Sequence, residues 1–221
     1  MEVILMRLLP TLTFVLAAIG SAVAFSPAVA HAPMASSAVA PRTGDLKTEM
    51  RKLWEDHLTW TRNYIISALA NLEDKDAVAQ RLLKNQDDIG AAIAPYYGSA
   101  AGQKLAALLR DHILVATEVV SAATKGNSAQ LAAAQKKWQD NGDAIAVFLS
   151  GANPHLPQAE LKAMLRRHLE LTTEEVTGRL KKDWAADIKA YDEGRAHMLM
   201  FSDMLAAGIA KQFPAKFARA N

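Results

Sequence analysis

WEDHLTWTRNYI, residues Trp54 to Ile65, decides how the rest of the chain is read. Helical spacing puts His57 one turn from Leu53 and Trp54 and one turn from Trp60 and Thr61, so a titratable side chain sits on the apolar face. Later stretches carry a polar residue at the matching place: Asn85, His112, Asn141, His168 and His197.

Outward from this stretch the periodicity is helical throughout. Leu46, Met50, Leu53, His57, Thr61, Tyr64, Ala68 and Leu72 predict a first helix with Asp45 as N-cap. Val78, Leu82, Asn85, Ile89 and Ile93 predict a second, stopped by Pro95 and Gly98. Leu105, Leu108, His112, Val115 and Val119 carry a third, which ends at Lys125-Gly126. Leu131, Trp138, Asn141, Ile145 and Phe148 carry a fourth, closed by Gly151 to Pro157. A fifth runs from Gln158 to Lys181, with Leu161, Leu165, His168, Leu171 and Thr172 inward. The sixth begins near Asp183, with Trp184, Ile188, Tyr191, His197, Met200, Phe201 and Met204 inward, and ends before Pro214. No alternating β-branched run supports a strand.

The spacings suggest repetition. His57 to His112 is 55 residues, and His112 to His168, Asn85 to Asn141 and Asn141 to His197 are each 56. Asn85 and Asn141 both begin Asn-x-Asp-x-Ile. The expected fold is all-α: a six-helix antiparallel bundle built from three duplicated helical hairpins, spanning residues 45–217 as one domain. At about 1.5 Å rise per residue, the six marked side chains would share one polar slab at mid-height.

Four inward histidines at one level suit a metal site in a bundle core, because neutral imidazole binds zinc, copper, iron and nickel. The expected ligands are His57, His112, His168 and His197, with copper or zinc the first candidates. Asn85, Asn141, Thr61, Thr172 and Glu175 are expected to hold the ring tautomers, and Met164 and Met200 are candidate soft ligands. Two other readings stand beside this one. The histidines could be hydrogen-bonded core residues of a helical scaffold, or they could line a small-molecule or haem pocket with Tyr64, Arg62 and Asn63. Carboxylate-bridged di-iron, zincin, nucleophile-elbow, dinucleotide and P-loop motifs are all missing, which disfavours a dedicated enzyme.

Composition bounds the partners. The chain has no Cys, which removes disulfides, thiolate metal sites, iron–sulfur clusters and covalent haem attachment. Basic and acidic residues are interspersed at a net charge of +2, so no nucleic-acid partner is indicated. Arg7 and the run LLPTLTFVLAAIGSAVA read as a signal peptide over residues 1–32, cleaved after Ala24, Ala30 or Ala32. Residues 33–44 read as a disordered lead-in. The expected destination is periplasmic or secreted, with no membrane span after processing.

The strings LWEDHLTWTRNYI, LLKNQDDIGAAIAPYYG, DHILVA, HLELTT, DWAADIKAYDEG, HMLMFSDML and KQFPAKF resemble those of an uncharacterised bacterial family of exported, all-helical proteins. The resemblance implies export and a helical fold, and it implies no activity or cofactor.

Overall fold

Six stretches of helical periodicity become six α-helices in a computed structural model that describes residues 43–218. They are α1 (Thr43–Leu69), α2 (Lys75–Tyr97), α3 (Ser99–Thr124), α4 (Ser128–Ala152), α5 (Gln158–Leu180) and α6 (Trp184–Gln212), followed by a short 3-10 turn, Pro214–Lys216. No strand occurs among the described residues, and none of their helices is long and apolar enough to cross a membrane. All of them belong to one unit, Val39–Asn221. The expected signal peptide and most of the expected lead-in lie outside the described residues.

Each helix packs on the next, and α6 returns to pack on α1, so the six close into a ring. Charge pairs fix the antiparallel register of that closing seam: Lys47 with Asp203 at 3.1 Å, Glu55 with Arg195, and Arg62 with Asp187 at 2.8 Å. Across the interior, α1 also meets α3 and α5. The odd-numbered helices therefore surround the axis.

The three turns at one end are built alike. Asn71, Gly126 and Lys182 each take the left-handed conformation, at φ 52, 63 and 59°. The next residue's N–H then reaches back five residues, from Leu72 to Ser67 O, Asn127 to Ala122 O and Asp183 to Gly178 O, at 2.8, 3.1 and 2.9 Å. This is a helix C-terminus that satisfies its own last carbonyls. Asn127 and Asp183 then cap the following helices, their side chains accepting from Gln130 N and Ala186 N.

The core is uneven along the axis. On one side of the histidines it is continuous, with Met50, Trp54, Ile89, Leu161, Met198 and Phe201 all fully buried or nearly so. Side chains of that size contribute roughly 1.5–3 kcal/mol each when taken from water. On the other side it divides into three small groups centred on Trp138, Ile65 and Ile113. That division leaves room for the cavity described below.

Several sequence expectations need correction. Asp45 lies in the first turn of α1 and not at its N-cap, because the helix starts at Thr43. Thr43 and Gly44 therefore belong to the helix and not to a lead-in. Pro95 does not stop α2, which runs on to Tyr97 and ends at Gly98. Only one backbone bond is forfeited so close to a helix end. Leu72 falls past the end of α1 and is exposed. On α6 the inward stripe is Asp187, Ala190, Gly194, Met198, Phe201 and Leu205; of the residues expected inward Phe201 lies on it, and the others fall beside it, out of phase. Trp184, Ile188 and Met200 consequently face outward, at 51%, 52% and 58% exposure.

Candidate functional site

The ring places His57 of α1, His112 of α3 and His168 of α5 at the same height, facing one another. The His168 ring lies 5.7 Å from His57 and 6.0 Å from His112, centre to centre. All three are buried, with 2–3% of their surface exposed. Burial is also the main electrostatic force on them, because it penalises the charged ring. It pushes His57 down to about 3 and His112 to about 4, and it holds His168 well below the usual histidine range. At neutral pH all three are uncharged imidazoles.

Their partners come from the even-numbered helices. His112 Nδ1 lies 2.7 Å from the Asn141 side-chain oxygen, and its Nε2 lies 3.1 Å from the Trp138 indole N–H. An amide oxygen only accepts and an indole N–H only donates, so the ring carries its proton on Nδ1. The Asn141 amide nitrogen then donates to Leu108 O at 3.0 Å. In the first hairpin these tasks are split. Gln86 Oε1 receives the His57 Nδ1 proton at 3.3 Å, while Asn85 donates to Leu53 O at 3.0 Å. Gln86 is in turn held by Leu82 O and Asn85.

The α5–α6 pair breaks the pattern. His197 stands where Asn141 would be, and its Nε2 donates to Met164 O at 2.8 Å. Leu53, Leu108 and Met164 each lie four residues before the histidine of their helix. The carbonyl bond is thus kept between α1 and α2, α3 and α4, and α5 and α6, but His197 supplies no oxygen to His168. His168 Nδ1 is left buried without a partner among the described residues.

Beneath the histidines lies a largely enclosed cavity of about 60 Å³. Its walls include Ile65, Leu82, Ile113, Val120 and Val176, so it is mainly apolar; His57, His112 and His168 line it together with Tyr64, Gln135 and several threonines. Such a space holds a few waters or a ligand of a handful of heavy atoms.

Of the expected metal ligands, three converge and His197 does not. Its nitrogen is spent on a backbone carbonyl and the residue is only half-buried. Met200 is on the outer surface, one helical phase from the core, so it is no soft ligand. Met164 contributes its carbonyl to His197. Thr61 and Thr172 donate to the backbone carbonyls of His57 and His168, not to the rings. Glu175 belongs to a different cluster. It pairs with Arg62 at 2.6 Å, and Arg62 and Arg179 both hold the buried Asp187, at 2.8 and 3.0 Å. Burial pushes Glu175 up to about 7 in spite of Arg62. Asn63, expected in the pocket, does not line it. Among the described residues no group of three His, Asp or Glu side chains is close enough to hold a metal ion as they stand.

Sequence reading passed over Gln86, the Trp138 bond and the Arg62 cluster. A signal for Gln86 was present: it follows His57 by 29 residues, as Asn141 follows His112 and His197 follows His168. The Trp138 bond joins consecutive helices and depends on how they pack, while Arg62 reaches Glu175 and Asp187 more than a hundred residues away, and no local pattern encodes either.

Fold and site together define an all-α bundle with a cavity headed by neutral imidazoles. No protein-family model, curated protein or solved structure matches the chain.

Proposed function

We propose that the protein is a non-enzymatic binding protein whose ligand occupies the cavity beneath His57, His112 and His168. One observation carries this reading: an apolar cavity is lined by three buried, uncharged imidazoles, two of them oriented by amides and the third, His168, with a buried Nδ1 that has no partner. Leaving that atom unpaired costs about 1–3 kcal/mol, which a ligand would recover once the ring turns that nitrogen toward the cavity. The walls are apolar and the imidazoles uncharged, so the favoured ligand is small and neutral, with an apolar body and one hydrogen-bonding group.

A transition metal, copper or zinc first, is a second reading. It is supported by the Nδ1 protons of His57 and His112, which sit on amide oxygens and point Nε2 toward a metal, although His112 Nε2 would first have to give up the Trp138 indole N–H. The ligand set under that reading is His57, His112 and His168. Nitrogen-15 spectra of the histidine rings separate the two. A saturable shift of His168 with phenol or short alcohols supports the neutral ligand, and a response to zinc or copper(I) alone supports the metal. Indifference to both returns the histidines to a purely structural role.

We also infer that the three hairpins descend from one by duplication, supported by the recurring turns and carbonyl bonds. Export through residues 1–32 belongs to the same proposal; N-terminal sequencing of the secreted chain tests it, with cleavage expected after Ala24, Ala30 or Ala32.

A further inference from the structure

We propose that the groove between α4 and α5 is the mouth of the histidine cavity and that Trp138 is its gate; this rests on the ligand-binding reading above. The groove is an open surface depression of about 690 Å³ on that seam, with a polar lining that includes Gln139, Arg166 and Glu170. Gln135, Trp138 and Thr173 line both the groove and the cavity, so the two spaces share one wall. Trp138 is the bulkiest part of that wall. It is only 4% exposed and is held by a single hydrogen bond, from its indole N–H to His112 Nε2.

The seam around it has slack. A methyl group added at Gly142, one turn along α4 from Trp138, would meet only Leu165 and Leu169 of α5, at 3.9 Å. On the tight α2–α3 seam, by contrast, a methyl at Gly90 would meet the Gly102 carbonyl at 2.5 Å. Nearer the start of α5 the α4–α5 seam is clasped by Asp143, which takes Lys162 at 2.9 Å and Arg166 at 3.3 Å. The clasp fixes one end, while the part beside Trp138 is held by the packing of Trp138 on Leu169 and by no charge pair among the described residues.

Rotating Trp138 toward the groove breaks its one hydrogen bond, gives up part of its packing on Val119, Ala134 and Leu169, and joins cavity to solvent. It also releases the His112 Nε2 lone pair, which the indole otherwise occupies. The ligand's apolar body would then sit among Ile113, Val120 and Val176, with its one hydrogen-bonding group at the histidine end.

Exchange of xenon, a neutral apolar probe independent of the natural ligand, tests the gate on the full chain. Trp138→Phe removes the latching N–H, and Gln135→Ala trims the half-exposed lip with little risk to folding. Both should speed xenon exchange about fivefold to tenfold, the factor of roughly one net hydrogen bond for the Phe variant, with occupancy changed less than about twofold. Trp54→Phe is the control, because Trp54 is equally buried beside His57 but lines neither space; its exchange rate should match the parent's. Normal occupancy with unchanged rates in both α4 variants would overturn the gate and leave the cavity standing. No xenon-dependent shift of the histidine resonances in parent or variants would remove the cavity reading and the gate with it.

Discussion

Replacing His112 by Leu and His168 by Leu should move stability in opposite directions, although the two rings are equally buried. His112→Leu strands the Asn141 oxygen and the Trp138 N–H, and should cost about 2–4 kcal/mol by urea denaturation. His168→Leu removes an atom that is already unpartnered, and should be neutral or stabilising by up to about 1 kcal/mol while abolishing ligand binding. A residue that a fold would be more stable without is one retained for another purpose. Acid should act on the same rings. Histidines depressed from 6.5 contribute stability that is complete above pH 6.5 and is lost as pH falls toward the folded values of about 3 and 4. Glu175, raised from 4.5 to about 7, acts the other way, since its contribution is complete below pH 4.5 and is lost as pH rises through 7. Three groups oppose one, each worth about 1.4 kcal/mol per pH unit where it titrates, so the urea midpoint should fall between pH 6.5 and 4.5. A flat midpoint over that interval would mean that the rings are not held neutral. The inward histidines themselves were legible from helical phase. Their partners were less so, because an amide across a seam is fixed by packing and not by the sequence beside the histidine.

At the level of the helices, the sequence reads well wherever an apolar stripe alone sets the phase. The ends of α3, α4 and α5 follow from Gly126, from Gly151 to Pro157 and from the turn before Asp183. The reading slips on α6, where the buried stripe includes Asp187. Periodicity counts an Asp as outward, so the expected stripe moves to Trp184 and Ile188. Two guanidiniums, from Arg62 and Arg179, draw that carboxylate inward, and Trp184 lies instead against Arg179 at 5.5 Å. Arg62→Met tests the account: it leaves Glu175 buried without its cation and deprives Asp187 of one of two, for an expected loss of about 3–5 kcal/mol. The α2–α3 seam depends on Gly90 and Gly102, which allow backbone to meet backbone. Gly90→Ala would press its methyl into the Gly102 carbonyl and into Ala106 at 2.7 Å. The expected cost is at or above the upper end of about 1–3 kcal/mol, read as a lower melting temperature.

Across the whole molecule the decisive contact is the return of α6 to α1, which leaves no helix pair with an open side. An excised hairpin such as residues 99–152 would have two uncovered seams. Three copies could cover one another's, so the isolated segment should sediment as a trimer and not as a folded monomer. Such an assembly carries a restriction that the continuous chain escapes. In a trimer of identical subunits, any change beside one histidine is made beside all three, and the axis can hold only three satisfied rings or three deprived ones. Joining the hairpins in one chain lets His197 stand where the second hairpin has Asn141, so that a single imidazole is left wanting. Under the proposed ligand-binding reading, broken symmetry is what would admit one guest, in one orientation, at a centre that would otherwise offer three equivalent ones.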